Sequence, residues 1–169
     1  MSQWNVGIVG LSRGRGFVNV FGAHPSASVV ALCDINEPVL ADTGKAFKLP
    51  DAALFTDFDK FLGAPIDIVV VATPIRSHVE QTVKSLQSGK HVLCEQTAAD
   101  SLEGCERIVQ AVKKAGKAYM MAENYCYFHY IREWQKLVDA GKLGRIFYAE
   151  GEYIHNITGL HSNAYQERG

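Results

Sequence analysis

Residues 66–73 read IDIVVVAT, and that run constrains the fold more than any other stretch of the chain. It is apolar almost throughout and rich in β-branched residues, so it predicts a strand. A strand with no polar face needs cover on both sides, and that is the condition of a strand inside a parallel sheet. The segments around it repeat the theme. WNVGIVG (4–10), SVVALCD (28–34), ALFT (53–56), HVLCE (91–95) and AYMMAE (118–123) are further apolar runs of strand length. Between them lie FVNVFGAH (17–24), EPVLADTGKAF (37–47), RSHVEQTVKSLQSG (76–89) and SLEGCERIVQAVKKAG (101–116), which have helical spacing. Pro38 fits a first helical turn, Ser101 or Asp100 fits an N-cap, and Gly89 and Gly116 fit helix ends. Strands alternating with amphipathic helices imply a doubly wound α/β fold with a parallel sheet.

The rhythm changes after about residue 123. YIREWQKLVDAGKLG (130–144) predicts a helix. RIFYAEGEYIH (145–155) alternates like a half-exposed strand. A lone strand with one wet face is not a stable domain. Residues 124–169 are therefore expected to open a second, α+β domain that is incomplete within the 169 residues, leaving 1–123 as the first domain. An exposed strand edge there predicts association of the chain with itself.

Charge and composition remove several classes of function. The net charge is −1, which offers no basic field for nucleic acid or anionic lipid. No apolar run is long enough to span a bilayer, and the first strand starts too early for a signal peptide, so a cytoplasmic protein is expected. Cys33, Cys94, Cys105 and Cys126 have no CxxC spacing and are expected to be buried, reduced thiols. The histidines show no HxxxH or HExxH pattern, and no metal site is expected.

The stretch VGIVGLSRGRGF carries the first chemistry. A dinucleotide-binding G-x-G-x-x-G would place glycines at 10, 12 and 15. Here those positions are Gly10, Ser12 and Arg15, with Gly14 and Gly16 flanking the last. The motif is degenerate, but its setting is informative: it follows a strand, opens a helix and precedes a second strand ending in Asp34. Small residues let the backbone approach a pyrophosphate, and a helix start offers free N–H groups. Gly10, Ser12, Arg13 and Gly14 are thus expected to contact the phosphates. The Asp34 carboxylate accepts from ribose hydroxyls and repels a 2′-phosphate, favouring NAD over NADP.

These motifs, with IDIVVVATPIRSHVE, GKHVLCEQTAAD and GKLGRIFYAEGEYIH, resemble the glucose–fructose oxidoreductase, inositol dehydrogenase and MocA-like family in order and spacing, over essentially the whole chain. The resemblance implies a Rossmann domain followed by an α+β domain carrying much of the substrate site and a homo-oligomer interface on its sheet. It also implies a small-molecule sugar or polyol substrate. Some relatives use the bound cofactor for elimination, epimerisation or glycoside cleavage. Carried over, Ala72, Thr73 and Pro74 line the nicotinamide-side ribose, Glu95 lies near it, and Asn124 bonds the carboxamide or substrate. His78 belongs to the same T-P-x-x-x-H pattern, as a cofactor-side group or as a helix histidine that only packs.

One position departs from the pattern. Many relatives read Glu-Lys-Pro where this chain reads Glu95-Gln96-Thr97. Alcohol oxidation by hydride transfer needs a group to take the hydroxyl proton, and glutamine cannot. Gln96 is expected to orient a hydroxyl only. The proton acceptor is then His155 or Tyr153, expected on one face of a strand, or His161, or a residue outside the chain. Alternatively, the reaction is not simple oxidation, or the chain is an NAD-binding module without catalysis.

Overall fold

A computed structural model describes residues 3–154. Contacts divide the chain into two compact units, the first running to Ala122 and the second beginning at Glu123.

The first unit is built on a six-stranded sheet of β1 (Trp4–Val9), β2 (Ala27–Cys33), β3 (Leu54–Phe55), β4 (Ile68–Val71), β5 (His91–Cys94) and β6 (Tyr119–Met121). Their spatial order is β3-β2-β1-β4-β5-β6, and every pair is parallel. The connections carry α1 (Leu11–Gly22), α2 (Glu37–Ala46), α3 (Phe58–Leu62), α4 (His78–Gln87) and α5 (Leu102–Ala115). The expected doubly wound α/β sheet is present.

The two-sided burial of the central run is visible residue by residue. Side chains alternate across a strand. Val69 and Val71 of β4 join a cluster with Phe61, Leu86 and Val92 on the α3, α4 and α5 side. Val70 joins Ile8, Leu11, Val18, Leu32 and Leu40 on the α1 and α2 side. All three valines are fully buried. Phe61 anchors the first cluster, with the Phe58 and Phe55 rings at 5.8 and 6.0 Å.

Local chemistry sets the helix ends. Asn36 accepts from Val39 N–H at the start of α2, with Pro38 in the first turn. Asp57 accepts from Lys60 N–H at the start of α3. Ser101, the expected cap, accepts from Gly104 N–H at 3.1 Å, and Gly116 ends α5 with φ of 62°. Each such cap satisfies a first-turn donor and stabilises its helix by about 1 kcal/mol.

Three expectations change. Helix α1 begins at Leu11, directly after Gly10, and not at residue 17. The short helix α3 follows β3 where no helix is expected from the sequence. In the second unit a turn at Tyr125–Tyr127 leads into α6 (His129–Asp139), but 145–154 form no strand. Alternation specifies a strand only when a neighbouring strand supplies hydrogen bonds, and the second unit has no strand among its described residues. The self-association expected through a sheet there loses its described edge. What the unit does expose is apolar side chains, including Trp134, Leu137, Phe147 and Ile154.

The cysteines divide evenly. Cys33 and Cys94 are buried, whereas Cys105 and Cys126 are exposed, which corrects the expectation of four buried thiols. Burial pushes the Cys33 thiol up to about 12 and the Cys94 thiol up to about 11. The thiolate is the reactive form, so both stay protonated and unreactive through neutral pH. In the native chain a disulfide reagent is expected to titrate two thiols promptly and the other two only after unfolding. Prompt release of four equivalents would contradict this burial.

Candidate cofactor site

The site is built from strand ends. One register line crosses the sheet through Phe55, Cys33, Val9, Val71, Cys94 and Met121. The backbone bonding continues one residue further. Asp34 N–H donates to Phe55 C=O at 3.1 Å, Gly10 to Cys33 at 2.9 Å, Ala72 to Val9 at 2.9 Å and Glu95 to Val71 at 2.8 Å. Asp34, Gly10, Ala72 and Glu95 therefore stand side by side in one row at the carboxyl edge. That edge, where the chain leaves β1 and β4 towards opposite sides, is where a doubly wound sheet binds ligand.

Gly10 is the pivot of the row. Its φ of 86° and ψ of 88° turn the chain directly from β1 into α1. A methyl group in place of its hydrogen would stand 2.6 Å from the Ala72 carbonyl carbon and oxygen and from Thr73 N. The backbone of β1 thus passes against the end of β4 with no room for a side chain. Gly14 provides the close helix–strand approach. A Cβ there would lie 2.9 Å from Ile8 Cγ2. Position 14 fills the role that the G-x-G-x-x-G spacing puts at 15. Arg15 instead points to α2, where it donates to Thr43 Oγ1 at 2.8 Å.

The start of α1 has donors to offer. Gly14 N–H already bonds Gly10 C=O at 2.9 Å. The three earlier N–H groups have no intrahelical acceptor. Leu11 N–H donates to Asp34 Oδ2 at 2.6 Å, which leaves those of Ser12 and Arg13, both exposed. Asp34 is oriented from its other oxygen too, since Oδ1 accepts from Asn36 N–H at 2.8 Å. A carboxylate has about four acceptor sites, so two anchoring bonds leave capacity for two ribose hydroxyls. The donor set fits a dinucleotide: N–H groups at a helix start for the pyrophosphate and, beside them over β2, a fixed carboxylate for the adenosine ribose. The other end of such a molecule then lies over β4 and β5.

At that end the expected residues meet one another. Arg13, expected on phosphate, donates through Nε to Glu95 Oε1 at 2.5 Å, with side-chain exposures of 67% and 10%. This ion pair links the first turn of α1 to the end of β5 and reaches past β4. Thr73 donates from Oγ1 to Gln81 Oε1 at 2.6 Å. Pro74 follows, exposed, and starts a short turn at Ile75–Ser77. His78 is turned inward, 1% exposed, with Nδ1 2.7 Å from Thr97 O and Nε2 2.7 Å from Thr73 O. Both ring nitrogens face main-chain carbonyls. Gln96 is exposed beside Glu95, and its peptide bond to Thr97 is cis. Its amide donates and accepts hydrogen bonds but takes no proton.

The remaining expected residues belong to the second unit or lie outside the described residues. Asn124 lies in the second unit, exposed, at the start of the Tyr125–Tyr127 turn. Tyr153 is in the same unit, its ring edge-on to Tyr125 with centroids 5.8 Å apart. Hydrogen bonding to Tyr153 holds the Tyr125 phenol above its ordinary range. The shared face expected for Tyr153 and His155 has no described basis, because Tyr153 is not in a strand and His155 and His161 lie outside the described residues. Gln81, Thr97 and the pairing of Arg13 with Glu95 are not legible in the sequence. The only signal for Gln81 is its place three residues after His78, on one helical face. Among the described residues no group of three or more His, Cys, Asp or Glu is placed to hold a metal ion.

Known proteins match this arrangement. WlbA dehydrogenase from Bordetella pertussis, solved with NADH and UDP-GlcNAcA, is 26% identical with a TM-score of 0.80, over 86% of this chain and 44% of that one. Scyllo-inositol dehydrogenase from Lactobacillus casei, solved with NAD(H) and scyllo-inositol, is also 26% identical with a TM-score of 0.80, over 86% of this chain and 43% of that one. A glycosyl hydrolase family 109 protein from Porphyromonas gingivalis is 32% identical over 90% of this chain. The chain spans 34% of that relative's length. Residues 4–123 match the sequence model of the GFO/IDH/MocA group, described as an oxidoreductase family with an NAD-binding Rossmann fold. This chain belongs to the GFO/IDH/MocA oxidoreductase family, and its first unit is the family's NAD-binding Rossmann domain.

Proposed function

We propose that this chain is the cofactor-binding part of an enzyme that oxidises a hydroxyl of a sugar, polyol or related carbohydrate. The observation that carries the reading is the single row of Asp34, Gly10, Ala72 and Glu95 along the strand ends. Bound NAD would supply the hydride acceptor. The chain's own residues do the rest. Asp34 holds the adenosine ribose, and the Ser12 and Arg13 N–H groups hold the phosphates. Thr73, Pro74 and Glu95 shape the surface over β4 and β5. Gln96 orients the reacting hydroxyl without taking its proton. We assign proton acceptance to His155, a residue of suitable chemistry, with Tyr153 and His161 as the other candidates within the chain. Asn124 is proposed to bond the carboxamide or the substrate.

The region after Glu123 is proposed as the opening of the substrate and assembly domain. Its exposed Trp134, Leu137 and Phe147 suit burial in a homo-oligomer. The proposed setting is the cytoplasm, where thiols such as Cys105 and Cys126 stay reduced.

The relatives named glycosyl hydrolase family 109 favour a second reading, NAD-assisted glycoside cleavage at the same site. The absence of lysine at Gln96 is compatible with it. One experiment separates the two. The natural protein carrying this chain is incubated with NAD and either a polyol panel or aryl glycosides. Oxidation yields stoichiometric NADH from a polyol. Glycoside cleavage yields the phenol with no net NADH. Cofactor binding with neither product would overturn both readings and leave a binding module.

A further inference from the structure

Helix α4 reaches the cofactor edge with its first turn, and His78 is its first residue. The ring is 1% exposed, yet it carries two polar nitrogens. One faces the carbonyl of Thr73, in the turn leaving β4, and the other that of Thr97, in the turn leaving β5, both at 2.7 Å. Three residues further along the same helical face, Gln81 Oε1 accepts from the Thr73 hydroxyl at 2.6 Å. Thr73 is thus held through both its side chain and its main chain by one helix. With one proton the ring donates to one carbonyl, and with two it donates to both. In neither state is a nitrogen left to face a ligand.

We infer that His78 is a positioning residue, a strut between the two turns that together form the nicotinamide end of the cofactor site. The inference rests on the NAD-binding reading of the strand-end row. It assigns His78 no contact with cofactor or substrate. Its ring fixes how far the Thr73–Pro74 segment stands from the Gln96–Thr97 segment, and so where Glu95 and Gln96 meet the reacting end of the cofactor. Small displacements at a reacting centre have large consequences, which makes such a spacer worth a buried polar ring. The adenosine and pyrophosphate end rests on Gly10, the start of α1 and Asp34, and neither ring nitrogen of His78 bonds to those residues.

That asymmetry gives a test. The chain is titrated calorimetrically with NAD and with ADP-ribose, which lacks the nicotinamide. In His78→Phe the ring volume stays and the polar contacts to both carbonyls go. The inference predicts NAD affinity lowered by about tenfold with ADP-ribose affinity kept within about twofold. His78→Gln, which keeps a donor near the Nε2 position, is expected to recover part of the loss. Amide exchange gives a readout without cofactor: His78→Phe speeds exchange in both the 73–77 and 96–100 segments and leaves the start of α1 unchanged. Equal losses for both ligands, or no loss for either, would overturn the strut. Exchange speeding in one turn alone would overturn it too. If His78→Phe does not fold, the same comparisons on His78→Gln decide it, at a smaller ratio. A wild-type chain that binds neither ligand would instead sink the NAD reading on which the inference stands.

Discussion

Replacing Gly10 by alanine is expected to lower the stability of the first unit by about 3 kcal/mol and to abolish measurable cofactor binding. Two costs act together. The residue has φ of 86°, where a Cβ clashes with its own backbone. The added methyl also stands 2.6 Å from three main-chain atoms of Ala72 and Thr73, and main chain inside a sheet cannot rotate away as a side-chain tip can. Relief requires β1 and β4 to separate at their carboxyl ends, where the row of site residues is assembled. Gly16→Ala is the control. Its Cβ meets nothing within 4 Å, and it lies inside α1. Alanine there is expected to add about 0.5 kcal/mol through helix propensity. Denaturant midpoints of the two variants check the contrast. Equal shifts would mean that Gly10 is not a close-approach residue.

Asp34→Ala is expected to weaken NAD binding about 100-fold, with a separate loss of stability of about 1–3 kcal/mol from the Leu11 N–H left without its acceptor. Hydrogen bonds to a charged acceptor contribute about 1.5–3 kcal/mol each, and each tenfold in affinity is about 1.4 kcal/mol. Losing two ribose bonds therefore corresponds to at least two decades. The substitution also frees Leu11 N–H and Asn36 N–H, which now bond the carboxylate at 2.6 and 2.8 Å. Asn36 is exposed, so water replaces its lost acceptor, whereas Leu11 is buried and its unpaired N–H carries the stability cost. Removing the carboxylate also removes its repulsion of a 2′-phosphate, so discrimination between NAD and NADP is expected to vanish in this variant. Titrations with both dinucleotides, alongside a thermal melt, separate the binding effect from unfolding.

The legible parts of the molecule are those written in local pattern. The apolar run of β4, covered on both faces, implies its position at the centre of a parallel sheet. Asp34 is marked by sequence position alone, because its role depends only on ending the second strand of a βαβ unit. The illegible parts depend on distant partners. Arg13 reads as a phosphate donor from its loop, but it is paired with Glu95, and no spacing announces a bond between the connections that leave β1 and β5. His78 reads equally as a packing or cofactor residue until Thr73 O and Thr97 O are seen on either side of it. Helix α1 starts six residues before its apolar spacing is recognisable, because glycines hide helical periodicity and Gly14 is needed for contact with Ile8. At 145–154 the alternation is real, but the pattern alone does not provide a neighbouring strand.

The most direct test of the account is a titration of the wild-type chain with NAD and with NADP under identical ionic conditions. The account predicts saturable NAD binding at one site per chain, with NADP weaker by about tenfold or more because its 2′-phosphate meets the oriented Asp34 carboxylate. Absence of NAD binding by a folded chain, or NADP binding as tight as NAD, would contradict it.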